Sequence, residues 1–201
     1  MRTFNPLSLV VFTILPSCVS SAPHVRSRSP VVNSNSFSMR IVATHNCERI
    51  SAGVAPLAWD PALEAGAAAY AHSLALTGIF AHSDRRSRGG SGENLWMGTR
   101  GAFSLEQMIG SWLAEKRMFV RGIFPRVSRT GNWTNVGHYS QMIWPMTTRV
   151  GCAVASNERR IIWFAAISLP AISTGAACLR ARASPSFRSS RLTRDACRGA
   201  A

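Results

Sequence analysis

Apolar residues recur with a helical or strand period only in the middle of this chain, from about Ser38 to Glu158, and that confinement limits what can fold. The ends differ from the middle in charge as well. Residues 1–39 carry +3 through Arg2, Arg26 and Arg28. Residues 40–158 hold 12 basic and 8 acidic side chains, a net +4. Residues 159–201 hold 8 arginines against Asp195 alone, a net +7. Half of the formal +14 therefore lies in the last 43 of 201 residues. A total of that size points to an anionic partner. The periodic middle is close to balanced, however, and no nucleic-acid partner is expected. An apolar content of 46% excludes a wholly disordered chain.

The first 22 residues read as an export signal. Arg2 supplies a positive start, and Leu7–Leu15 is an apolar run suited to a signal but too short to span a bilayer. Small residues follow, up to Ala22. The expected location is secreted or periplasmic, with no transmembrane segment after signal cleavage. Leu15-Pro16-Ser17-Cys18 offers an alternative, a lipid anchor on Cys18. Residues 23–37, rich in Ser, Pro, Asn and Arg, read as a linker.

The domain is expected over residues 38–158. A first helix is predicted from Ser38 to about Ser51, stopped by Gly53. A second is capped by Asp60, starts with Pro61 and ends at Gly78. A third starts at Ser104, with Gln107 completing a capping box and Met108, Ile109, Trp112 and Leu113 as its apolar face. Tyr139–Trp144 and Val150–Ala155 read as strands or short extended pieces. Helices followed by late strands give an α+β class.

Two histidines and two glutamates are the candidates for chemistry. They are His82 after Phe80-Ala81, Glu93 beside Gly92, Glu115 one helical turn after Trp112, and His138 after Gly137. Two imidazoles and two carboxylates can hold a divalent metal, form a hydrogen-bond network, or do acid–base work. Spacing alone does not choose among these. No HExxH or paired-Cys motif is present. Arg85, Arg86 and Arg88 form a basic run that reads as a solvated loop, or as a contact for phosphate or a lipid headgroup. Trp59, Trp112 and Trp144 are expected in the core.

Several motifs, taken together, resemble a known family. They are His45-Asn46-Cys47-Glu48-Arg49, Leu57-Ala58-Trp59-Asp60-Pro61-Ala62-Leu63, Ala81-His82-Ser83, Gly92-Glu93-Asn94-Leu95, Trp112-Leu113-Ala114-Glu115 and Gly137-His138-Tyr139-Ser140-Gln141-Met142-Ile143-Trp144. In this order, from Ser38 to Ala155, they resemble the CAP superfamily of cysteine-rich secretory, antigen-five and pathogenesis-related class-one proteins. The longer spacing between Glu115 and His138 is similar to that of bacterial secreted members. The resemblance implies a three-layer α-β-α sandwich with a small antiparallel sheet. It also implies a cleft lined by His82, Glu93, Glu115 and His138. In that cleft His82 and His138 are the expected ligands of Zn²⁺ or another divalent cation, with Glu93 and Glu115 as the cleft carboxylates. No catalytic residue is assigned.

After Val150–Val154 the chain departs from the family, whose next strand contains Cys-Arg-Tyr followed by Pro and Gly-Asn. Here Ile161–Gly175 reads IIWFAAISLPAISTG. Codons allowed for that segment include a set that, read one nucleotide earlier, encodes Asp-Tyr-Leu-Val-Cys-Arg-Tyr-Phe-Pro-Ala-Gly-Asn-Ile-Asp-Gly. The expectation is a frameshift near Asn157–Arg160, with residues 159–201 an aberrant or disordered basic tail. From Ser168 onward 20 of 34 residues are Ala, Ser or Arg, without a period. The rival is a genuine basic tail for anionic lipid or nucleic acid. The family's C-terminal strand is then lost or replaced, leaving Cys152 without its partner and the sheet with an exposed edge. Ile161–Ile167 is itself apolar and β-prone enough to pair beside Val150–Ala155.

The expected function is an exported binding or extracellular interaction module, with a lipid or protein as partner, rather than an enzyme. The alternatives are a metal-assisted hydrolase, protease or esterase, using Glu93 or Glu115 as base, and a lipid or sterol carrier.

Overall fold

The computed structural model describes residues 34–167 and residue 178. The expected signal, the Cys18 anchor and most of the linker and tail lie outside the described residues. Helix α1 spans Ser34–Ala52, and Gly53 ends it at φ 77°. It therefore begins inside the expected linker, four residues before the predicted start. Strand β1, Ala58–Trp59, leads to α2, Pro61–Thr77. The Asp60 carboxylate accepts from the N–H groups of Ala62 and Leu63, and Gly78 closes the helix at φ 70°. Those backbone donors, chiefly Leu63, hold the Asp60 carboxyl below its ordinary pKa. Strand β2 is Gly92–Thr99 and α3 is Leu105–Leu113, opened by the predicted Ser104–Gln107 capping box. A short helix α4, Gly137–Met142, precedes β3, Arg149–Ser156, and β4, Arg160–Ile167.

The four strands lie in the order β1-β3-β4-β2. The two-residue β1 is parallel to β3, and the other pairs are antiparallel. Alternation along β3 makes this sheet the middle layer. Val150 and Cys152 face a core with Ile41 of α1, Met108, Ile109 and Trp112 of α3, and Met142 of α4. Ala153 and Ala155 face the other way, onto Ala67, Ala71, Leu74 and Ala75 of α2. The alanines let α2 sit low on the sheet. Gly151 completes the fit, because a Cβ there would lie 2.2 Å from the Glu64 backbone nitrogen. Trp112 and Trp144 are core residues, whereas Trp59 is only half-buried and donates through Nε1 to Glu64.

Two expectations are corrected. Tyr139–Trp144 is not extended, since its first four residues belong to α4. Its β-prone composition is overridden by tertiary contacts. Tyr139, Ser140, Gln141 and Met142 are all buried, and the distant Glu115 carboxylate accepts the Tyr139 N–H, a donor that the first helical turn leaves open. Nor does the chain become structureless at residue 159. Arg160–Ile167 fills the central lane of the sheet, paired with β3 on one side and β2 on the other. Its backbone groups are satisfied on both sides, so no edge opens there. Further on, Cys178 is buried, and its N–H donates to the Gly122 carbonyl at 3.0 Å. Cys152 and Cys178 are both free thiols, while Cys47 is disulfide-bonded.

Candidate functional site

The four candidate residues fall into two His–Glu pairs built on one plan. Glu93 sits on β2 with its side chain fully buried. Its Oε1 accepts from His82 Nδ1 at 2.5 Å and from the Ser83 N–H at 3.1 Å, and Oε2 accepts from the Ser83 hydroxyl at 2.5 Å. Glu115 follows the end of α3. Its Oε1 accepts from His138 Nδ1 at 2.6 Å, and its Oε2 from the Tyr139 N–H at 3.0 Å. In each pair one carboxylate holds a histidine ring and the backbone of the residue that follows it. A charged acceptor makes these bonds stronger than neutral ones.

Further contacts fix the pairs in place. The Tyr70 hydroxyl donates to the Ala81 carbonyl at 2.8 Å, which anchors the segment carrying His82 to α2. Trp112 stacks on the His138 ring with centroids 5.8 Å apart. Asn94 Nδ2 donates to the His138 carbonyl at 3.1 Å, tying β2 to α4. Gly92 allows α4 to come close, since a Cβ there would lie 2.3 Å from Gln141 Oε1.

His82, Glu93 and His138 line one cavity of about 580 Å³, together with Arg85, Arg88 and Gln141. Glu115 is not in the lining. It stands behind His138 and orients it. Asn94 and Gln141 were not singled out from the sequence, because an amide on a strand or helix carries no local signature of a site. Ser83 spends its hydroxyl proton on Glu93, so it forms no serine–histidine pair with His82.

The model of the cysteine-rich secretory protein family, CAP, matches residues 42–166. The chain belongs to the CAP family. Among relatives, the CAP chain is 28% identical to pathogenesis-related protein PR-1 of Medicago truncatula over 168 residues, covering 78% of this chain and 88% of that protein. It is 36% identical to pathogenesis-related protein 1C of Nicotiana tabacum over 110 residues, covering 54% of this chain and 60% of that one. The crystal structure of NaASP2 with Zn²⁺ has a similar fold, with TM-score 0.59 and 23% identity over 71% of this chain and 84% of that one. The CAP match reaches Ala166, so it takes in nearly all of β4.

Proposed function

We propose that this CAP domain is an exported, non-catalytic binding module whose cleft holds the ligand. The observation that carries this reading is the commitment of both carboxylates. Both oxygens of each are engaged: those of Glu93 hold His82 Nδ1 and the N–H and hydroxyl of Ser83, and those of Glu115 hold His138 Nδ1 and the Tyr139 N–H. A carboxylate so engaged orients an imidazole instead of serving as a free base. Nε2 of each histidine is left for the ligand.

The donor set suits a divalent cation such as Zn²⁺, because metal-binding histidines commonly donate their other ring N–H to a carboxylate. A closed zinc site has about four protein ligands. Among the described residues no group of three or more His, Cys, Asp or Glu is placed to hold a metal. His82 and His138 therefore fit a labile ion whose remaining ligands come from water or from the bound molecule. NaASP2, whose structure includes Zn²⁺, supports this by fold alone. Titration calorimetry with Zn²⁺ tests it. One site should be lost in His82→Ala and in His138→Ala, and equal binding by wild type and the double variant would overturn it.

Export rests on residues 1–22. Among the described residues no helix is long and apolar enough to cross a membrane. The Glu115–His138 spacing supports a bacterial-type member. A frame change near Asn157–Arg160 is supported by strand register. Cys152 lies opposite Ala165, the position at which the shifted frame encodes cysteine. Sequencing codons 155–176 tests the frame, and a gene in which no one-nucleotide shift yields that cysteine would refute it.

A further inference from the structure

Two polar groups in the cleft are left over once the His–Glu pairs are complete. Gln141 is only 4% exposed and lines the cavity, yet its Nε2 has no hydrogen-bond partner. Arg88 lines the same cavity, and its Nε is also buried without a partner. A buried amide nitrogen and a buried guanidinium Nε left unsatisfied are costly. Both carry N–H groups, so the missing partner is an acceptor. Arg85 adds a second cation to the lining. Glu93 is the acidic residue of that lining, set against two arginines. Its two oxygens already accept three hydrogen bonds, which spread its charge over those donors.

Size and walls narrow the ligand further. A cavity of about 580 Å³ is far larger than a bare oxyanion, and its lining includes Phe124, Pro125 and Trp133. We propose that the cleft binds a phosphate ester, its phosphate held by Arg88, Arg85 and Gln141 Nε2 and its organic part lying against Phe124, Pro125 and Trp133. The guanidinium fork matches phosphate oxygens in pairs. A soluble phosphomonoester and a lipid headgroup share this chemistry. The inference rests on the reading of the cleft as the ligand site, but it does not need the metal.

The test is titration calorimetry of the full chain in EDTA, with phenyl phosphate as one arm and phosphatidylcholine vesicles containing phosphatidic acid as the other. The expected result is saturable binding in at least one arm, and which arm binds identifies the source of the phosphate. Arg88→Ala should weaken binding at least tenfold. Arg86→Ala, a residue absent from the lining, should leave it unchanged. Gln141→Glu replaces a donor with an acceptor of the same shape and should also weaken binding at least tenfold. Arg88 is only half-buried, so Arg88→Ala keeps the test informative even if Gln141→Glu unfolds. No binding in either arm, or binding equal in wild type and Arg88→Ala, overturns the proposal. Loss of Zn²⁺ binding with phosphate binding intact would refute the metal reading alone, and the converse would refute this one alone.

Discussion

Two fully buried side chains on α1 show how much a single residue can carry. Arg49 is fully buried. Its guanidinium donates to four backbone carbonyls, those of Ala55, Met142, Trp144 and Thr147, at 2.7 to 3.0 Å. Burial lowers its pKa to about 10, so it stays charged at neutral pH. Those carbonyls lie in the chain after α1 and around the end of α4, and the Trp144 carbonyl also accepts the Thr147 N–H. Arg49→Met should cost roughly 3 kcal/mol or more of unfolding free energy, since several buried acceptors lose their donor together. Urea unfolding measures this, and a loss below about 1 kcal/mol would contradict the role. His45, also fully buried, has its pKa lowered to about 4, mainly by burial. Its neutral ring places Nδ1 2.8 Å from the Ile41 carbonyl, while Nε2 has no partner. The unfolded chain binds a proton near pH 6.5 and the folded chain only near 4. Stability should therefore fall as pH drops from about 6.5 to 4, by on the order of 3 kcal/mol, and this term should be flat below that. His45→Phe should flatten the slope of unfolding free energy in that window. An unchanged slope would show that other groups set it.

At the scale of elements, the capped helices follow local chemistry while the packing between layers does not. Asp60, Pro61 and Gly78 set the limits of α2, and Ser104 with Gln107 starts α3, all from residues next to the helix ends they govern. How closely α2 approaches the sheet is decided across the layers, by Gly151. Gly151→Ala should destabilise by about 1–3 kcal/mol or more, because the added methyl meets backbone that cannot rotate away. Gly110, inside α3, has nothing within 4 Å of where its Cβ would stand. Gly110→Ala should instead stabilise by about 0.5–1 kcal/mol through helix propensity. Thermal unfolding of the two variants should move in opposite directions, and a shared direction would mean the close approach is not what selects glycine at 151. The cleft is also an element-scale product. Its two pairs join β2 to the segment after α2, and the end of α3 to α4, so α4 is held in place by the site it helps form.

For the whole molecule, the centre of the sheet is its most consequential part. Strand β4 lies between β3 and β2 and hydrogen-bonds to both. Restoring the shifted frame from residue 161 would place a cysteine opposite Cys152, whose thiol is buried and has its pKa raised by burial. The same bond can be sought in the present chain with Ala165→Cys. Either protein, oxidised, should lose the free thiol of Cys152 and gain about 3 kcal/mol, the magnitude for closing a loop of about 15 residues. Thiol counting and thermal unfolding, with and without reductant, check this. A restored chain no more stable than the present one would count against the idea that the present β4 sequence is a substitute.

The sequence by itself determined the parts whose causes are local or carried by motif: the class, the caps of α2 and α3, β3, and the identities of the four residues that form the His–Glu pairs. Hydrogen bonds between neighbours and apolar periods write these directly into the chain. The sequence did not determine that Tyr139 begins a helix, because the acceptor for its N–H is Glu115, 24 residues away. Arg49 gave no sign that it collects carbonyls up to 98 residues distant. Gln141 and Arg88 became unsatisfied donors only when α4 and the loop after α2 enclosed one cavity. Only the tertiary structure decided that an apolar segment unlike the family's strand still occupies the middle lane. Backbone hydrogen bonding between strands depends on extended geometry and a vacant place beside β3 and β2 more than on which side chains the strand carries.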